Sequence, residues 1–476
     1  MKVSAEYLKE IEINYPVEKI TVNNIPVWPI LRFYFDTAFV LKDYNRYKLS
    51  SSISSYKKLK IRTLNNIHGV KLLFKRTDIV ILSNMLEYRK INGKLANKLF
   101  YAFISNLKNK NIILIENPGI NRHHSKKYLN HTKILSMSFL KDLARIRKFL
   151  KNNKIKNEYI LKKIQNDYEI IVDYDFPLHL FFTSLFFFRF FFKVKKPNLI
   201  LTSEYYNPYY QAAIGAAHEN LIKTIEVQHG MINNNHGAYI VSKDIGTKFF
   251  PNYLFVFGDY FKQFFDNNNY FIKSNNVYSI GSFYLDYILK SFKLKGKIKQ
   301  RIQQIKKEYS KIIVVSSQWN IEDKLIKYIK TVAKELDDVI FIFVPRYFHN
   351  FDFSSFSGIN NIILFEELNI YETILIADFH STVYSTTAFE APFLGVPNIL
   401  INIDNLSKIN YESILSNEVI TRFADTEKEY ISIVKNWVPK QKKEIQYLQR
   451  NLISLNHNKK IEKLATFLNN FPKKFC

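Results

Sequence analysis

Short runs of β-branched and aromatic residues alternate with longer amphipathic segments from about residue 70 onward. This alternation is typical of parallel sheets with helices on both faces. One series of runs predicts the strands of a first sheet: 78–83, 111–116, 198–203, 224–228, 253–257 and 277–281. Further along the chain, a second series predicts another sheet: 311–316, 339–344, 361–365, 374–379 and 397–402.

A basic stretch at 290–307 separates the two series and reads as a linker that runs into a helix. The fold class expected is therefore α/β, with two Rossmann-like doubly wound domains facing each other across a cleft. We expect the following division of the chain: a mainly helical N-terminal extension at 1–70, Rossmann-like domains at 71–285 and 286–430, and C-terminal helices at 431–476.

Composition agrees with a two-domain globular protein. The 476 residues exceed one ordinary core, and 47% of them are hydrophobic. A single cysteine, Cys476, excludes an internal disulfide framework and a cysteine-rich zinc site. The first residues lack the apolar core and cleavage site of a secretory signal, which predicts a cytoplasmic protein.

A formal charge of +27 is the main departure from an ordinary composition. Nucleic acid, acidic lipid headgroups or phosphorylated substrates would each satisfy it, and so would a lysine-rich solvated surface. The apolar segment 176–192 contains His179 and Arg189 and is short for a bilayer crossing. We expect it to be buried or interfacial, with the protein attached peripherally to the anionic inner face of the cell membrane.

Candidate chemistry follows the predicted strands, because ligands of open α/β sheets bind outside the carboxyl ends of the strands. The first motif is Glu226 to Met231, in which His229 can act as a base or bind phosphate, Gln228 precedes it and Gly230 allows close backbone approach. Glu204, directly after another strand, is an alternative base or an acceptor ligand. Arg89 is a candidate for binding an anionic acceptor.

The second motif, 377–391, combines a strand end, hydroxyl side chains and a helix start near Ser385 or Thr386. Backbone N–H groups and hydroxyls at such a point attract an anion, and Glu390 is placed to accept hydrogen bonds from a ribose. The candidate donor-binding residues here are His380, Ser381, Ser385, Thr386, Thr387 and Glu390.

The segment Ile374–Pro397 resembles the C-terminal nucleotide-binding segment of bacterial GT-B glycosyltransferases. The stretch Val227–Gly230 is similar to a motif of capsule and lipooligosaccharide transferases, and sialyl-, Kdo- and glycerophosphate-transferring relatives share the architecture. The resemblance implies that Glu390 holds the donor ribose, that Ser385 and Thr386 meet its phosphate, and that the N-terminal domain receives the acceptor.

One stretch departs from the family pattern. Several relatives place a His-Pro pair after the second strand of the C-terminal domain, whereas this chain has Phe343–Tyr347. We expect Arg346 to supply the positive charge there, with His380 sharing the role. No DxD pair follows a predicted strand, so the mechanism expected needs no metal and no cofactor.

The function expected is transfer of a sugar from a CMP-, UDP-, GDP- or CDP-linked donor to a surface glycan, such as capsule, lipopolysaccharide or O-antigen. The acceptor would be a glycan or a lipid-linked chain. A sugar-nucleotide 2-epimerase and a CDP-glycerol-type glycerophosphotransferase are the enzymatic alternatives. A basic nucleic-acid-binding protein is the alternative outside enzymes, but no helix-turn-helix, zinc finger or Walker loop supports it, so no nucleic-acid partner is expected.

Overall fold

The computed structural model describes residues 4–42, 55–107, 109–118, 121–265, 268–318, 321–346 and 351–469. Tyr347 and Cys476, named above, lie outside these ranges. The chain divides into two compact units. Unit 1 comprises residues up to Phe283 and those from Asn456 onward, and unit 2 comprises Tyr284–Leu455. The predicted boundary between 285 and 286 lies two residues further along the chain.

Unit 1 contains a three-stranded antiparallel sheet, a two-stranded hairpin and a seven-stranded parallel sheet. Its strands are β1 (Thr21–Val22), β2 (Ile25–Pro26), β3 (Ile79–Asn84), β4 (Tyr88–Ile91), β5 (Lys94–Asn97), β6 (Ile112–Asn117), β7 (Ile134–Ser136), β8 (Ile155–Lys156), β9 (Leu199–Thr202), β10 (Lys223–Val227), β11 (Tyr253–Val256) and β12 (Val277–Ser279). Its helices up to Phe283 are α1 (Ser4–Asn14), α2 (Trp28–Lys42), α3 (Ser55–Asn66), α4 (Tyr101–Asn106), α5 (Ser138–Leu150), α6 (Glu158–Asp167), α7 (Asp175–Lys195) and α8 (Pro208–Glu219).

Unit 2 is built on a six-stranded parallel sheet. Its strands are β13 (Lys311–Ser316), β14 (Val339–Val344), β15 (Ile362–Ile363), β16 (Phe379–Thr382), β17 (Asn398–Ile401) and β18 (Thr421–Ala424). Its helices are α9 (Phe283–Ser291), α10 (Gly296–Glu308), α11 (Glu322–Glu335), α12 (Ile370–Ile376), α13 (Thr387–Phe393), α14 (Leu406–Tyr411), α15 (Glu427–Asn436) and α16 (Lys442–Leu448). Helix α17 (His457–Asn469) returns to unit 1.

Short 3-10 helices connect several of these elements: Val17–Lys19, Val70–Phe74, Met85–Glu87, Lys126–Tyr128, Asp259–Phe264, Ser274–Asn276, Phe353–Phe356 and Ile403–Asn405.

The two large sheets share one topology. Numbered by appearance in the chain, the strands of unit 2 lie in the order 3-2-1-4-5-6, and those of the unit 1 sheet lie in the same order with a seventh strand added at the end. This is the strand order of doubly wound dinucleotide-binding sheets. Both units are therefore Rossmann-like, as the alternation of hydrophobic runs predicts.

One predicted strand is wrong. Residues 374–379 were expected to be extended, but α12 occupies most of that stretch and β16 begins only at Phe379. The helix starts at a capping box in which Asn369 accepts from the backbone N–H of Glu372, and the Glu372 carboxylate accepts from that of Asn369. This cap stabilises a helical turn that the apolar run alone does not reveal.

Helix α7 is long and apolar enough to cross a membrane by length and composition, yet 61% of its most apolar window is buried within the protein. It packs against α5 and α8. The N-terminal helices α1 and α2 also pack within unit 1, with Trp28, Leu31 and Phe35 fully buried. Packing, rather than membrane contact, therefore accounts for the hydrophobic cluster around Trp28.

Candidate functional site

The strand order of the unit 1 sheet reverses between β3 and β9, and this switch point carries a polar pair. Leu82 is level with Thr202 in the sheet, so Asn84 and Glu204 leave neighbouring strands at the same carboxyl edge. The Asn84 side-chain amide donates to Glu204 Oε1 at 2.9 Å. Because ligands of doubly wound sheets bind at such switch points, Glu204 lies where a substrate group is expected.

His229 belongs to the same carboxyl edge, in the loop after β10. Its Nε2 lies 3.1 Å from the hydroxyl of Tyr206, and within the described parts of the chain its Nδ1 has no hydrogen-bond partner. Gln228 is fixed instead, since its Oε1 accepts from the Phe257 backbone N–H and its Nε2 donates to the Gly230 carbonyl. Gln228 thus shapes the loop, whereas one ring nitrogen of His229 is shielded from solvent and not engaged by the described residues.

A buried carboxyl group lies at the strand end from which this loop begins. Glu226 lies at the end of β10, is fully buried, and accepts from the Tyr239 hydroxyl at 2.7 Å. Burial raises the pKa of the Glu226 carboxyl to about 8. The group is therefore protonated at neutral pH and serves as a neutral hydrogen-bonding group near Glu204.

The loop that contains His229 is held by the N-terminal helices. Arg32 on α2 donates to the carbonyls of Gly237, Ala238 and Ile240, the last at 2.7 Å. Glu12 on α1 pairs with Arg32 Nε at 2.9 Å in a fully buried ion pair and also accepts from the backbone of the same loop. We call these contacts the Arg32 clamp.

Arg89 lies outside the main sheet of unit 1. It belongs to a hairpin of β4 and β5, whose turn residues Asn92 and Gly93 both have positive φ, the signature of a tight two-residue turn. Its guanidinium donates to the carbonyls of Leu86 and Tyr88. These bonds hold the Arg89 guanidinium against backbone carbonyls of its own chain segment.

The switch point of unit 2, between β13 and β16, is formed by neutral groups. Ser316 Oγ lies 2.9 Å from His380 Nε2 and 2.8 Å from Thr387 Oγ1, and His380 Nδ1 lies 2.8 Å from Asn398 Oδ1. Asn398 Nδ2 donates to the Ala388 carbonyl, so Nδ1 of His380 is the donor and Nε2 accepts from Ser316. We call these residues the Ser316 network.

Burial lowers the pKa of His380 to about 4, so the ring is neutral at physiological pH. Both of its nitrogens are engaged inside unit 2, and the side chain is inaccessible to solvent. The geometry fits a positioning role better than the phosphate contact expected from the sequence. Thr387 is likewise engaged by Ser316.

The remaining hydroxyl residues of the second motif differ in position. Ser381 is buried. Its Oγ lies 2.7 Å from the hydroxyl of Tyr430, a residue of α15. Ser385 and Thr386 are half-buried in the loop between β16 and α13. Helix α13 begins at Thr387, and Thr386 makes no side-chain capping bond. The Ser385 hydroxyl instead accepts from the Thr387 backbone N–H at 3.4 Å, so one hydroxyl of the motif does meet the helix start.

Sequence reasoning missed the residues that hold this loop. The Tyr411 hydroxyl donates to the carbonyls of Tyr384 and Ser385 at 3.1 and 2.5 Å. With its amide oriented to satisfy both groups, Gln318 accepts from the backbone N–H of the same two residues. Gln318 follows β13 closely, so its place after a strand was an available signal; Tyr411 offered none.

Glu390 and Arg346 complete the set in unit 2. Glu390 is nearly buried, and its Oε1 accepts from the Tyr371 hydroxyl at 3.2 Å. Arg346 is exposed directly after β14, the strand beside β13. Arg346 therefore lies at the carboxyl edge of the sheet, and Glu390 lies in the middle of α13. Among the described residues, no group of three His, Cys, Asp or Glu side chains is arranged to hold a metal ion.

Comparisons with known proteins bear on the fold. No protein-family model matches the chain. No curated protein matches it either. Among solved structures, a UDP-N-acetylglucosamine 2-epimerase is similar at 14% identity with a TM-score of 0.50, covering 84% of this chain and 98% of that one. A glycotransferase of kitacinnamycin is similar at 12% identity with a TM-score of 0.50, covering 83% and 99%. These likenesses, with two Rossmann-like units in one chain, identify the fold as GT-B.

Proposed function

We propose that the protein is a glycosyltransferase that moves a sugar from a nucleotide-activated donor to a growing surface glycan. Capsule, lipopolysaccharide and O-antigen are the acceptor systems that fit the sequence resemblance. The proposed site of action is the cytoplasmic face of the cell membrane, and the reaction needs no metal or other cofactor.

One observation supports this proposal above the others. The two sheets carry different chemistry at their carboxyl edges: Glu204 and His229, groups able to take a proton, in unit 1, and a neutral Ser316 network with Glu390 in unit 2. Transfer of a sugar needs one surface that activates an acceptor and another that holds a nucleotide rigidly. The division of residues between the units matches these two tasks.

The proposed mechanism assigns Glu204 or His229 as the base. The base removes the proton of the acceptor hydroxyl, the acceptor oxygen bonds to the anomeric carbon, and the bond from that carbon to the donor phosphate breaks. Arg346 would neutralise charge on the leaving phosphate, with the side-chain hydroxyls of Ser385 and Thr386 donating to it. Glu390 would accept hydrogen bonds from the donor ribose.

Other residues have supporting roles in this proposal. His380, Ser381 and Thr387 hold the strand-end loop in place, so they act on the donor through Ser385 and Thr386. Gln228 and Gly230 shape the loop of His229, and Arg89 contributes positive charge near the acceptor. That the carboxyl edges of the two sheets face each other across one cleft is a prediction from the sequence.

Donor identity is the first test. We expect one of the UDP-, GDP-, CMP- or CDP-linked sugars to raise the melting temperature of the purified protein, because a ligand stabilises the state that binds it. The Glu390→Ala variant should lose most of that shift, whereas Glu412→Ala, at an exposed position of unit 2, should keep it. Equal stabilisation of all variants by every nucleotide would contradict a specific donor site.

A second test separates the transferase from the enzymatic alternatives. Both a 2-epimerase and a glycosyl transferase have solved structures similar in fold to this chain, and the low identity does not distinguish them. An epimerase changes the donor sugar without an acceptor, whereas a transferase releases nucleotide only when an acceptor is present. A glycerophosphotransferase would release CMP from CDP-glycerol. Incubation with and without extracted glycan, followed by analysis of nucleotide and sugar products, distinguishes the three.

A further inference from the structure

An exposed apolar face lies on the two packed helices α5 and α7 of unit 1. On α7, Phe186 and Phe190 are 77% and 68% exposed and lie one helical turn apart. On α5, Leu143 and Phe149 are exposed as well, Phe149 at 91%. Leu143, Phe186 and Phe190 line one shallow groove and so form a continuous surface, and Phe149 lies six residues further along α5. We call this surface the α5–α7 face.

The continuity of this apolar face distinguishes it from the single apolar side chains of an ordinary surface. A soluble surface tolerates single apolar side chains, whereas a contiguous group of large aromatic rings marks a site of contact. Helix α7 is otherwise well packed, since Phe188, Phe191 and Phe192 on its other side are buried in the core. The outward rings are therefore not needed to hold the helix in place.

The charge around the face indicates which partner it fits. Residues 138–156 contain seven Lys or Arg and one acidic residue, Asp142. Two of these cations are paired, Arg145 with Asp142 and Lys148 with Asp175. Lys151 on this segment and Lys193 on α7 are exposed. Aromatic rings bordered by excess cations match a bilayer with anionic headgroups, because the rings enter the acyl boundary while the cations meet phosphate.

The position of the face agrees with a membrane contact that leaves the site free. The chain runs from the end of α7 at Lys195 into the start of β9 at Leu199, so the Phe190 end of the helix lies toward the amino edge of the sheet. Glu204 and His229 lie after the carboxyl ends of their strands. Contact through the α5–α7 face therefore does not cover the candidate site of unit 1.

We propose that the α5–α7 face is the surface by which the protein binds an anionic lipid bilayer, with Phe149, Phe186 and Phe190 entering the interface and Lys151 and Lys193 contacting headgroup phosphates. This proposal rests on the peripheral membrane location proposed above. It is independent of which sugar is transferred and of whether the enzyme is a transferase.

The test is co-sedimentation of the full chain with vesicles of phosphatidylcholine containing phosphatidylglycerol, and with vesicles of phosphatidylcholine alone. We expect binding to the anionic vesicles, loss of most binding in high salt, and a decrease of roughly tenfold or more in the Phe186→Ser/Phe190→Ser variant, since two large rings leave the lipid. The Lys151→Gln/Lys193→Gln variant should bind several-fold less tightly to the anionic vesicles.

Matched controls keep the result interpretable. Tyr159 on α6 is 66% exposed in the same unit, and Tyr159→Ser should bind vesicles like the parent. Unchanged binding by both α5–α7 variants would overturn the proposal, as would a parent protein that ignores anionic vesicles. Dimers of the parent that the phenylalanine variant abolishes, without vesicle binding, would assign the face to a second copy instead. Nucleotide-induced shifts in melting temperature, measured on the same variants, test the proposed enzymatic function separately.

Discussion

The two units hold their strand-end loops by opposite means. In unit 1, the loop of His229 is held by a buried charge pair, Arg32 with Glu12, that belongs to helices outside the sheet. In unit 2, the loop of Ser385 is held by neutral hydroxyl, imidazole and amide groups from the sheet and its own helices. The comparison teaches that strand-end loops in two sheets of the same topology need not be stabilised alike. A charged clamp loses stability when one partner is removed, because the other charge stays buried. A neutral network loses stability when its hydrogen-bond geometry is disturbed.

The largest effect should come from breaking the Arg32 clamp. Arg32→Met leaves Glu12 buried without its partner, which costs about 3–5 kcal/mol of unfolding free energy. Urea denaturation measures the loss. The double variant Glu12→Leu/Arg32→Met removes both charges and should recover a large part of it. A single variant as stable as the parent would show that the clamp does not hold the loop.

The second-largest effect should be the loss of turnover when the proposed base is removed. His229→Ala should lower kcat by about a hundredfold or more if the imidazole takes the acceptor proton. If Glu204 is the base instead, Glu204→Gln shows the larger loss. Tyr206→Phe keeps the ring beside His229 but removes the hydroxyl 3.1 Å from its Nε2, so it should cost less than either. Steady-state kinetics with melting curves decide; near-parental turnover in His229→Ala would exclude a catalytic role for that residue.

The neutral network should show a smaller, purely structural cost. Ser316→Ala removes the shared hydroxyl and leaves His380 Nε2 buried without a donor, costing about 1–3 kcal/mol. The loss should appear in urea denaturation of unit 2. Ser357→Ala, at an exposed turn of the same unit, is the control and should change stability little. Equal stability of the two variants would mean that the network contributes nothing.

Donor binding should respond to Glu390 without a matching loss in turnover. Glu390→Ala removes hydrogen bonds to the ribose in ground and transition states alike, so it should mainly raise the donor KM, by roughly ten- to a hundredfold. Glu412→Ala serves as the exposed control. A fall in kcat with an unchanged KM would move Glu390 from donor binding to chemistry.

The last prediction is a difference in pH dependence between the units. The pKa of Glu226 is about 8 when folded and 4.5 ordinarily, so folded unit 1 keeps a proton that the unfolded chain releases. Its stability relative to Glu226→Gln should therefore fall as pH rises from 4.5 to 8. The pKa of His380 is about 4 when folded and 6.5 ordinarily, so unit 2 should lose stability relative to His380→Gln as pH falls through that range. Melting temperatures of parent and variants across pH check both signs; parallel curves would contradict them.

The sequence predicts the sheets well because each buried strand is a continuous apolar run bounded by polar residues. It fails where the same kind of run forms a helix, as at α12, and where a strand is short, as at β7 and β18. The candidate site is predicted by its position after the strands, which identifies Glu204 and His229. Contacts across the chain are beyond such reasoning: Asn84 meets Glu204 from 120 residues away, and nothing local marks that pairing.

Residue roles within a strand are equally hard to predict. All four residues of β16 are buried, so the pattern of exposure cannot tell which side chains face a ligand. His380 and Ser381 point into hydrogen-bonded interiors on opposite faces of the sheet, and only the structure shows that neither is exposed. A histidine followed by hydroxyl residues thus resembles a catalytic group in sequence while serving as a satisfied core residue.

Helix α17 has a consequence for how the protein is made. It follows all of unit 2 in the chain, yet Ile461, Ala465 and Leu468 complete the hydrophobic core of unit 1. During synthesis, the ribosome therefore releases every residue of unit 2 before the last part of the unit 1 core emerges. Unit 2 can finish folding first, while unit 1, begun earlier, exposes an unfilled apolar groove beside α4 until α17 has been synthesised. Premature termination before Asn456 would spare the later unit and damage the earlier one.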